Sequence, residues 1–244
     1  MLPVAEPPLT ADLIRTRHEA ISARLREAAV AAGREPDGFR IVAVTKGFGL
    51  TVVAAASAAG LSRFGENRVQ EALPKVAAAP EAEWHLVGRL QANKVRPAVR
   101  GFAVIHSVDS LDLLARIERI ATEEQVAPRI CLQVNVAAEP AKAGFDPAWF
   151  ADQVSRRGEL AEAIGQLRSS RMVGLMTIAP FGVATAESRA VFAALRGFRD
   201  ELESTIGERL PELSMGMTAD AEAAVAEGAT LVRIGTGIFG PRPV

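Results

Sequence analysis

The 244-residue sequence is 49% hydrophobic and 23% charged, with a formal net charge of -1. That composition supplies a sizeable core, in one large domain or two small ones, and excludes an overall positive field that recruits nucleic acid. The single cysteine, Cys131, excludes an intrachain disulfide and suits a reducing compartment.

Met1–Leu9 carry Glu6 and three prolines without a basic or a long apolar stretch, so they are read as a flexible N-terminus rather than a signal peptide. Thr10 to Ala32 is predicted to be an amphipathic helix, with Leu13, Ile14, Ile21, Leu25 and Ala28 on one face and Gly33 as its stop. From Arg40 the chain alternates short apolar runs with longer helix-like stretches. The predicted strands are Arg40–Thr45, Leu61–Gly65, Trp84–Val87 and Ala103–Ser107, then Arg129–Val134, Met172–Met176, Glu212–Met215 and Leu231–Ile234. Between them lie segments such as Leu111–Glu124 and Ala186–Thr205. The uncharged run Gly47–Ser62 is too short to span a membrane and reads as loop then helix. The chain is therefore expected to be soluble and cytoplasmic.

Two segments are built alike. Ala54–Gly60 leads into Leu61–Gly65, and Ala221–Gly228 leads into Leu231–Gly235; each is a small-residue helix, a glycine cap and a strand ending in Arg-apolar-Gly. Right-handed βαβ units repeated about eight times over residues 10–244, with no flexible linker, predict one α/β domain, a (β/α)8 TIM-type barrel with an extra N-terminal helix. An open doubly wound sheet is the alternative, weakened by the absence of a Gly-x-Gly-x-x-Gly turn after the first strand.

Lys46 closes the greasy run Ile41–Thr45. An ammonium there is costly to desolvate, and a free lysine is the nucleophilic amine in only about one molecule in 2,500 at neutral pH. Desolvation raises that fraction, as imine-forming lysines require; a lysine that snorkels to solvent is the ordinary alternative. Active groups of such barrels gather at the C-terminal strand ends, and those ends are polar here: Lys46, Glu66-Asn67, His85, His106-Ser107 with Asp109, Gln133 with Asn135, Thr177, Ser214–Thr218 and Arg233–Gly237. The last two loops, Ser214-Met215-Gly216-Met217-Thr218 and Gly235-Thr236-Gly237, supply the backbone donors and hydroxyls that hold phosphate; they also read as plain glycine turns. Across the rim from a lysine nucleophile they suggest a phosphorylated aldehyde held as an imine. A sugar-phosphate aldolase and a pyridoxal phosphate protein both satisfy that logic.

The ordered motifs narrow the choice. They are Val44-Thr45-Lys46, Phe64-Gly65-Glu66-Asn67-x-Val69-Gln70-Glu71, Trp84-His85-x-x-Gly88-x-Leu90-Gln91-x-Asn93-Lys94 and His106-Ser107-Val108-Asp109-Ser110. Gln133-Val134-Asn135, Lys142-x-Gly144, Gly174-Leu175-Met176, Ser214-Met215-Gly216-Met217-Thr218-x-Asp220 and Arg233-Ile234-Gly235-Thr236-x-Ile238-Phe239-Gly240 follow. With these the chain resembles the pyridoxal phosphate homeostasis proteins, the YggS-like family, from about residue 10 to its end. The resemblance implies a barrel like the N-terminal domain of alanine racemase, with pyridoxal 5′-phosphate as a Schiff base on Lys46. It also implies phosphate contacts from Ser214, Met215, Gly216, Met217, Thr218, Gly235 and Thr236, Arg233 at the pyridine nitrogen, and Asn67 beside the ring. No metal is expected. Arg68, Arg89 and Thr218 depart from the family's usual aromatic, proline and serine. Arg89, Lys94 and Arg96 form a basic patch, read as a solvated face or as a site for a second phosphate or a partner.

Alanine racemases of this barrel type use a second acid/base, a tyrosine brought by an added C-terminal β-domain across the dimer. This sequence contains no tyrosine and stops after the eighth unit, so racemisation by that route is excluded and a monomer is favoured. The resemblance thus implies a carrier that buffers pyridoxal phosphate, delivers it to apo-enzymes and influences amino-acid and keto-acid pools, with no catalytic residue. A weak racemase or other pyridoxal phosphate enzyme, using His85, His106 or Cys131 to move protons, is the alternative, and a regulator acting through protein partners is a third reading.

Overall fold

Eight parallel strands close on themselves in sequence order: β1 (Arg40–Val44), β2 (Arg63–Glu66), β3 (Glu83–Leu86), β4 (Val104–Val108), β5 (Arg129–Gln133), β6 (Arg171–Met176), β7 (Glu212–Met217) and β8 (Leu231–Ile234). The pairing of β1 with β8 closes the barrel, from Arg40 beside Leu231 to Ala43 beside Ile234. The computed structural model describes residues 9–183 and 185–242; of the expected flexible N-terminus, Met1–Leu9, residues 1–8 lie outside the described residues.

Helices among the described residues are α1 (Ala11–Ala31), α2 (Leu50–Ala58), α3 (Val69–Ala78), α4 (Val95–Gly101) and α5 (Leu111–Glu124). They continue with α6 (Pro147–Ser155), α7 (Glu159–Gly165), α8 (Thr185–Ile206), α9 (Ala221–Ala226) and α10 (Thr236–Phe239). The Thr10 hydroxyl caps α1 by accepting from the Leu13 N–H, and Gly33 ends it at φ +71. Because α10 is a single turn, α1 packs against α2, α9 and α10 and occupies the place a helix after β8 would take. The extra N-terminal helix thus completes the outer ring.

The strands are apolar on their outer faces because helices cover them. Phe64, Trp84, Leu86, Ile105, Ile130, Leu213 and Val232 pack with helix residues such as Ile14, Leu25, Ile117 and Phe192. Full burial of side chains of this size stabilises by roughly 1.5–3 kcal/mol each. The barrel interior has a different character. His85, His106, Ser214 and Arg233 share it with a small apolar group of Cys131, Val173 and Met176.

Every strand but β8 differs from the sequence reading by one or two residues at one end or both, and three of these differences have a visible cause or consequence. β2 begins at Arg63 rather than Leu61, because Gly60 (φ +92) and Leu61 still close α2, the Leu61 N–H donating to the Ala56 carbonyl. β3 starts one residue early, at Glu83, whose partner is Arg63. β7 continues through Met217, so most of the segment expected as a loop is strand. Its register shifts between Ser214, opposite Leu231, and Met217, opposite Arg233. Gly216 permits that shift at φ +89, where a Cβ would stand 2.5 Å from the Ala224 methyl.

Candidate functional site

A cavity of about 530 Å³ opens at the C-terminal ends of the strands. Lys46, Asn67, Met217, Thr218, Arg233, Gly235 and Thr236 line it, so seven of the ten residues singled out from sequence meet at one site. The other three lie beneath or behind it. Ser214 is fully buried inside the barrel, Met215 points the opposite way into the helix-facing core, and Gly216 is the buried pivot between them. Strand alternation explains the difference: β7 reaches the rim only at Met217.

Lys46 is half-buried, follows β1 directly, and forms no ion pair among the described residues. Burial pulls its ammonium below the ordinary lysine range, and the positive charges of Arg242 and Arg233 add to the effect against a weaker opposing pull from Glu66. Burial and the two arginines act in the direction a nucleophilic amine requires, and they outweigh Glu66.

The peptide groups on either side of Lys46 are held from α3. Lys75 Nζ donates to the Thr45 carbonyl at 3.0 Å and to Glu66 Oε1 at 2.7 Å, and the Thr45 hydroxyl donates to the same oxygen at 2.6 Å. On the other side the Gly47 N–H donates to Glu71 Oε1 at 2.5 Å. Lys75 and Glu66 are both buried, and Glu66 Oε2 has no hydrogen-bond partner among the described residues. Burial therefore raises the Glu66 carboxyl above its ordinary range even though Lys75 and Thr45 pull it down. Glu66, Glu71 and Lys75 had no assigned role in the sequence reading. The i, i+4 spacing of Glu71 and Lys75 was the available signal.

Arg233 enters from below. Its Nη1 donates to Ser214 Oγ at 2.7 Å and its Nη2 to the Thr177 carbonyl at 2.9 Å. Burial pulls this guanidinium down to about 10, which leaves it charged at neutral pH. Above it, the Thr218 hydroxyl oxygen accepts from the Thr236 hydroxyl and from the Gly237 N–H, each at 3.3 Å. Its own hydrogen is then free to point into the cavity. Asn67 reaches the wall because residue 88 is glycine; a Cβ there would sit 2.4 Å from the Asn67 carbonyl oxygen.

Two parts of the wall carried no legible signal in sequence. Arg242 brings a third cation, and the Ile178–Val183 loop brings apolar surface with Phe181 93% exposed. That loop is anchored by Lys142, whose Nζ donates to the carbonyls of Ala179 at 3.0 Å and Ile178 at 3.4 Å. Gln133 and Asn135 bind backbone carbonyls of the loop that carries Lys142, so the Gln-Val-Asn and Lys-x-Gly motifs serve this wall. The expected basic patch is largely neutralised: Arg96 pairs with Glu123 and Glu124, Arg100 with Glu124, and Arg89 stands 3.7 Å from Asp109. Cys131 is fully buried and its thiol is pushed well above its ordinary range. Among the described residues no cluster of His, Cys, Asp or Glu could hold a metal ion, and no helix is long and apolar enough to cross a membrane.

The family profile described as the alanine racemase N-terminal domain matches residues 17–243. A pyridoxal phosphate homeostasis protein of Pseudomonas aeruginosa is 43% identical over 224 residues, spanning 91% of this chain and 93% of that protein. The chain belongs to the pyridoxal phosphate homeostasis protein family. A second member, from Aquifex aeolicus, is 38% identical over 221 residues, spanning 90% of this chain and 94% of its own. Among solved structures, PipY of Synechococcus elongatus with PLP bound is 44% identical with a TM-score of 0.75, covering 88% of this chain and all of that one. An alanine racemase of Clostridium difficile shares the fold, with a TM-score of 0.76 at 14% identity over 97% of this chain and 58% of that one. The barrel expected from sequence is thus the alanine racemase N-terminal fold.

Proposed function

We propose that this chain holds pyridoxal 5′-phosphate covalently on Lys46 and serves as a cytoplasmic carrier that buffers the cofactor and delivers it to apo-enzymes. The observation that carries the reading is the uncompensated, half-buried Lys46 amine sharing one cavity with the Arg233 guanidinium and the Thr218 and Thr236 hydroxyls. These residues fit the group. The paired hydroxyls, with the backbone of Gly235, suit a dianionic phosphate, and Arg242 adds positive charge to the same wall. Arg233 would meet the ring nitrogen. As a donor without acceptor capacity it would keep that nitrogen unprotonated and the ring a weak electron sink. Bound there, pyridoxal phosphate supplies an aldehyde that condenses reversibly with an amine.

The carrier reading is favoured over a racemase by how the cavity's other polar groups are employed. Asp220 accepts from the Met217 N–H at 2.6 Å, and Glu222 is paired with Arg24. His85 and His106 lie inside the barrel below the cavity, bonded to each other, and Cys131 is buried. Among the described residues, Lys46 is therefore left as the cavity's uncommitted base. Desolvation and neighbouring cations prepare it to bond an aldehyde, while the lining offers no second uncommitted proton carrier among the described residues.

Protein mixed with pyridoxal phosphate is expected to gain an absorption band at the edge of the visible. Borohydride should bleach that band and fix one cofactor mass on the peptide containing Lys46, and Lys46→Ala should lose both signals while remaining folded. Modification mapped to Lys94 or Lys142 would overturn the site. Rapid Lys46-dependent racemisation or transamination of amino acids would overturn the carrier.

A further inference from the structure

Four polar side chains inside a barrel need an account, because buried polar groups are tolerated only when hydrogen-bonded. The interior of this barrel is crossed by a continuous row of them. Arg233 Nη1 meets Ser214 Oγ at 2.7 Å, Ser214 Oγ meets His106 Nδ1 at 2.7 Å, His106 Nε2 meets His85 Nδ1 at 2.8 Å, and His85 Nε2 meets Glu83 Oε1 at 2.8 Å. β4 and β7 are not neighbours in the barrel, so the His106–Ser214 bond spans its interior. One end of the row, Arg233, lines the cavity. The other, Glu83, opens β3 at the opposite mouth, where Arg63 at 3.3 Å and Arg129 at 2.6 Å hold it as a carboxylate.

With both imidazoles neutral, the chemistry of the two ends allows one assignment of the hydrogens. Glu83 can only accept, so His85 Nε2 must carry a hydrogen. The N-to-N contact between the rings requires one bare nitrogen. With His85 neutral, that nitrogen is His85 Nδ1, and His106 Nε2 is the donor. A neutral His106 then has a bare Nδ1, which accepts the Ser214 hydrogen. This leaves the Ser214 oxygen to accept from Arg233, which can only donate. The direction derived from the carboxylate is thus compatible with a guanidinium that can only donate. The charged groups facing the two rings are Glu83, Arg63, Arg129 and Arg233, and burial among them holds both imidazoles below the ordinary histidine range.

We propose that Arg233→Ser214→His106→His85→Glu83 is a one-directional hydrogen-bonded chain that positions the Arg233 guanidinium against the cavity from the far end of the barrel. Ser214, His106, His85 and Glu83 are positioning residues in this reading. The chain itself is a property of the protein alone; its effect on ligand binding rests on the pyridoxal phosphate reading above.

The test begins without ligand. The sequence contains only three histidines, so ¹⁵N NMR of histidine-labelled protein, with His18→Gln to assign the third, reads His85 and His106 directly. Both are expected as neutral Nε2–H tautomers at neutral pH, titrating below the range of an ordinary histidine. In Glu83→Gln, whose terminal amide can donate as well as accept, that tautomer preference should fall detectably. Either ring titrating as an ordinary histidine, or found as the Nδ1–H tautomer in the unmodified protein, would overturn the chain. Ser214→Ala removes an acceptor from Arg233 and should weaken pyridoxal phosphate binding about tenfold with the histidine tautomers unchanged. Unaltered affinity in a folded Ser214→Ala protein would overturn the positioning role. Correct tautomers in a protein that takes up no pyridoxal phosphate would leave the chain standing and overturn only the cofactor reading.

Discussion

Replacing Lys75 with methionine keeps the length of a buried side chain and removes its charge. Lys75 is 4% exposed and Glu66 fully buried, and among the described residues the ammonium is the one cation bonded to that carboxylate. Leaving such a partner unpaired costs about 3–5 kcal/mol. At about 2–4 °C per kcal/mol for a chain of this size, Lys75→Met should unfold about 6–20 °C below the parent at pH 8. The pH dependence separates lost charge pairing from lost packing. Burial raises the Glu66 carboxyl, so the folded state favours its protonated form. The stability this contributes is complete below the unfolded carboxyl value near ~4.3 and disappears as pH rises through the folded value. Removing Lys75, which pulls that value down, moves it higher still. The deficit of Lys75→Met should therefore shrink as pH falls from 8 to 5, because a neutral carboxyl needs no counter-charge. Urea unfolding at the two pH values measures this. Adding Glu66→Gln to Lys75→Met should recover part of the loss at pH 8 and little at pH 5. An equal deficit at both pH values, or one below about 1 kcal/mol, would refute the assignment of Lys75 as counter-charge to a buried carboxylate.

Arg242→Gln removes the leading cation pressing on Lys46 but leaves its burial intact, so Lys46 should titrate at higher pH than in the parent while staying below an ordinary lysine; the pH profile of its labelling by an amine-reactive reagent, read by peptide mass, checks this. Gly216→Ala forces a side chain onto φ +89 and against Ala224, and should cost about 1–3 kcal/mol in thermal unfolding; an unchanged midpoint would contradict the pivot described for β7.

The barrel was legible because strands covered by helices read as short, nearly continuous apolar runs, and Ile41–Val44, Ile130–Leu132 and Leu231–Ile234 do so without ambiguity. The rim was legible for the same reason: a strand recognised by its apolar run also marks the residue at its end. The Ser214–Thr218 segment was harder because Gly216 resembles a turn, while the strand passes through it as a bulge. Strict alternation, Leu213 and Met215 outward with Ser214 inward, held the clue to the interior position of Ser214, which the sequence reading had instead put in a phosphate loop. Trp84-His85-Leu86 and Ile105-His106-Ser107 held a similar clue, since a histidine between two outward apolar residues faces the barrel interior. The clasp of Glu66 and Lys75 was not legible, because nothing local states that a strand-end carboxylate and a lysine nine residues later turn toward each other.

The charges around the cavity explain why one site can both activate an amine and capture an anion. Lys46, Arg233 and Arg242 repel one another, and the nearby carboxylates offset this only in part: Glu66 is bonded to Lys75, Glu71 and Asp220 to the Gly47 and Met217 N–H groups, and Glu222 to Arg24. Burial first, and then this repulsion, depress the Lys46 pKa and so enlarge the reactive fraction of its amine, while the same positive potential would draw a phosphorylated ligand in. A dianion seated beside Thr218 and Thr236 would relieve the repulsion and raise the proton affinity of any Lys46 amine not yet bonded. Activation of Lys46 is therefore greatest before the ligand is seated and is withdrawn once the cavity is filled. That order suits a site that captures an aldehyde and retains it more than one that must regenerate a free base at every turn of a reaction.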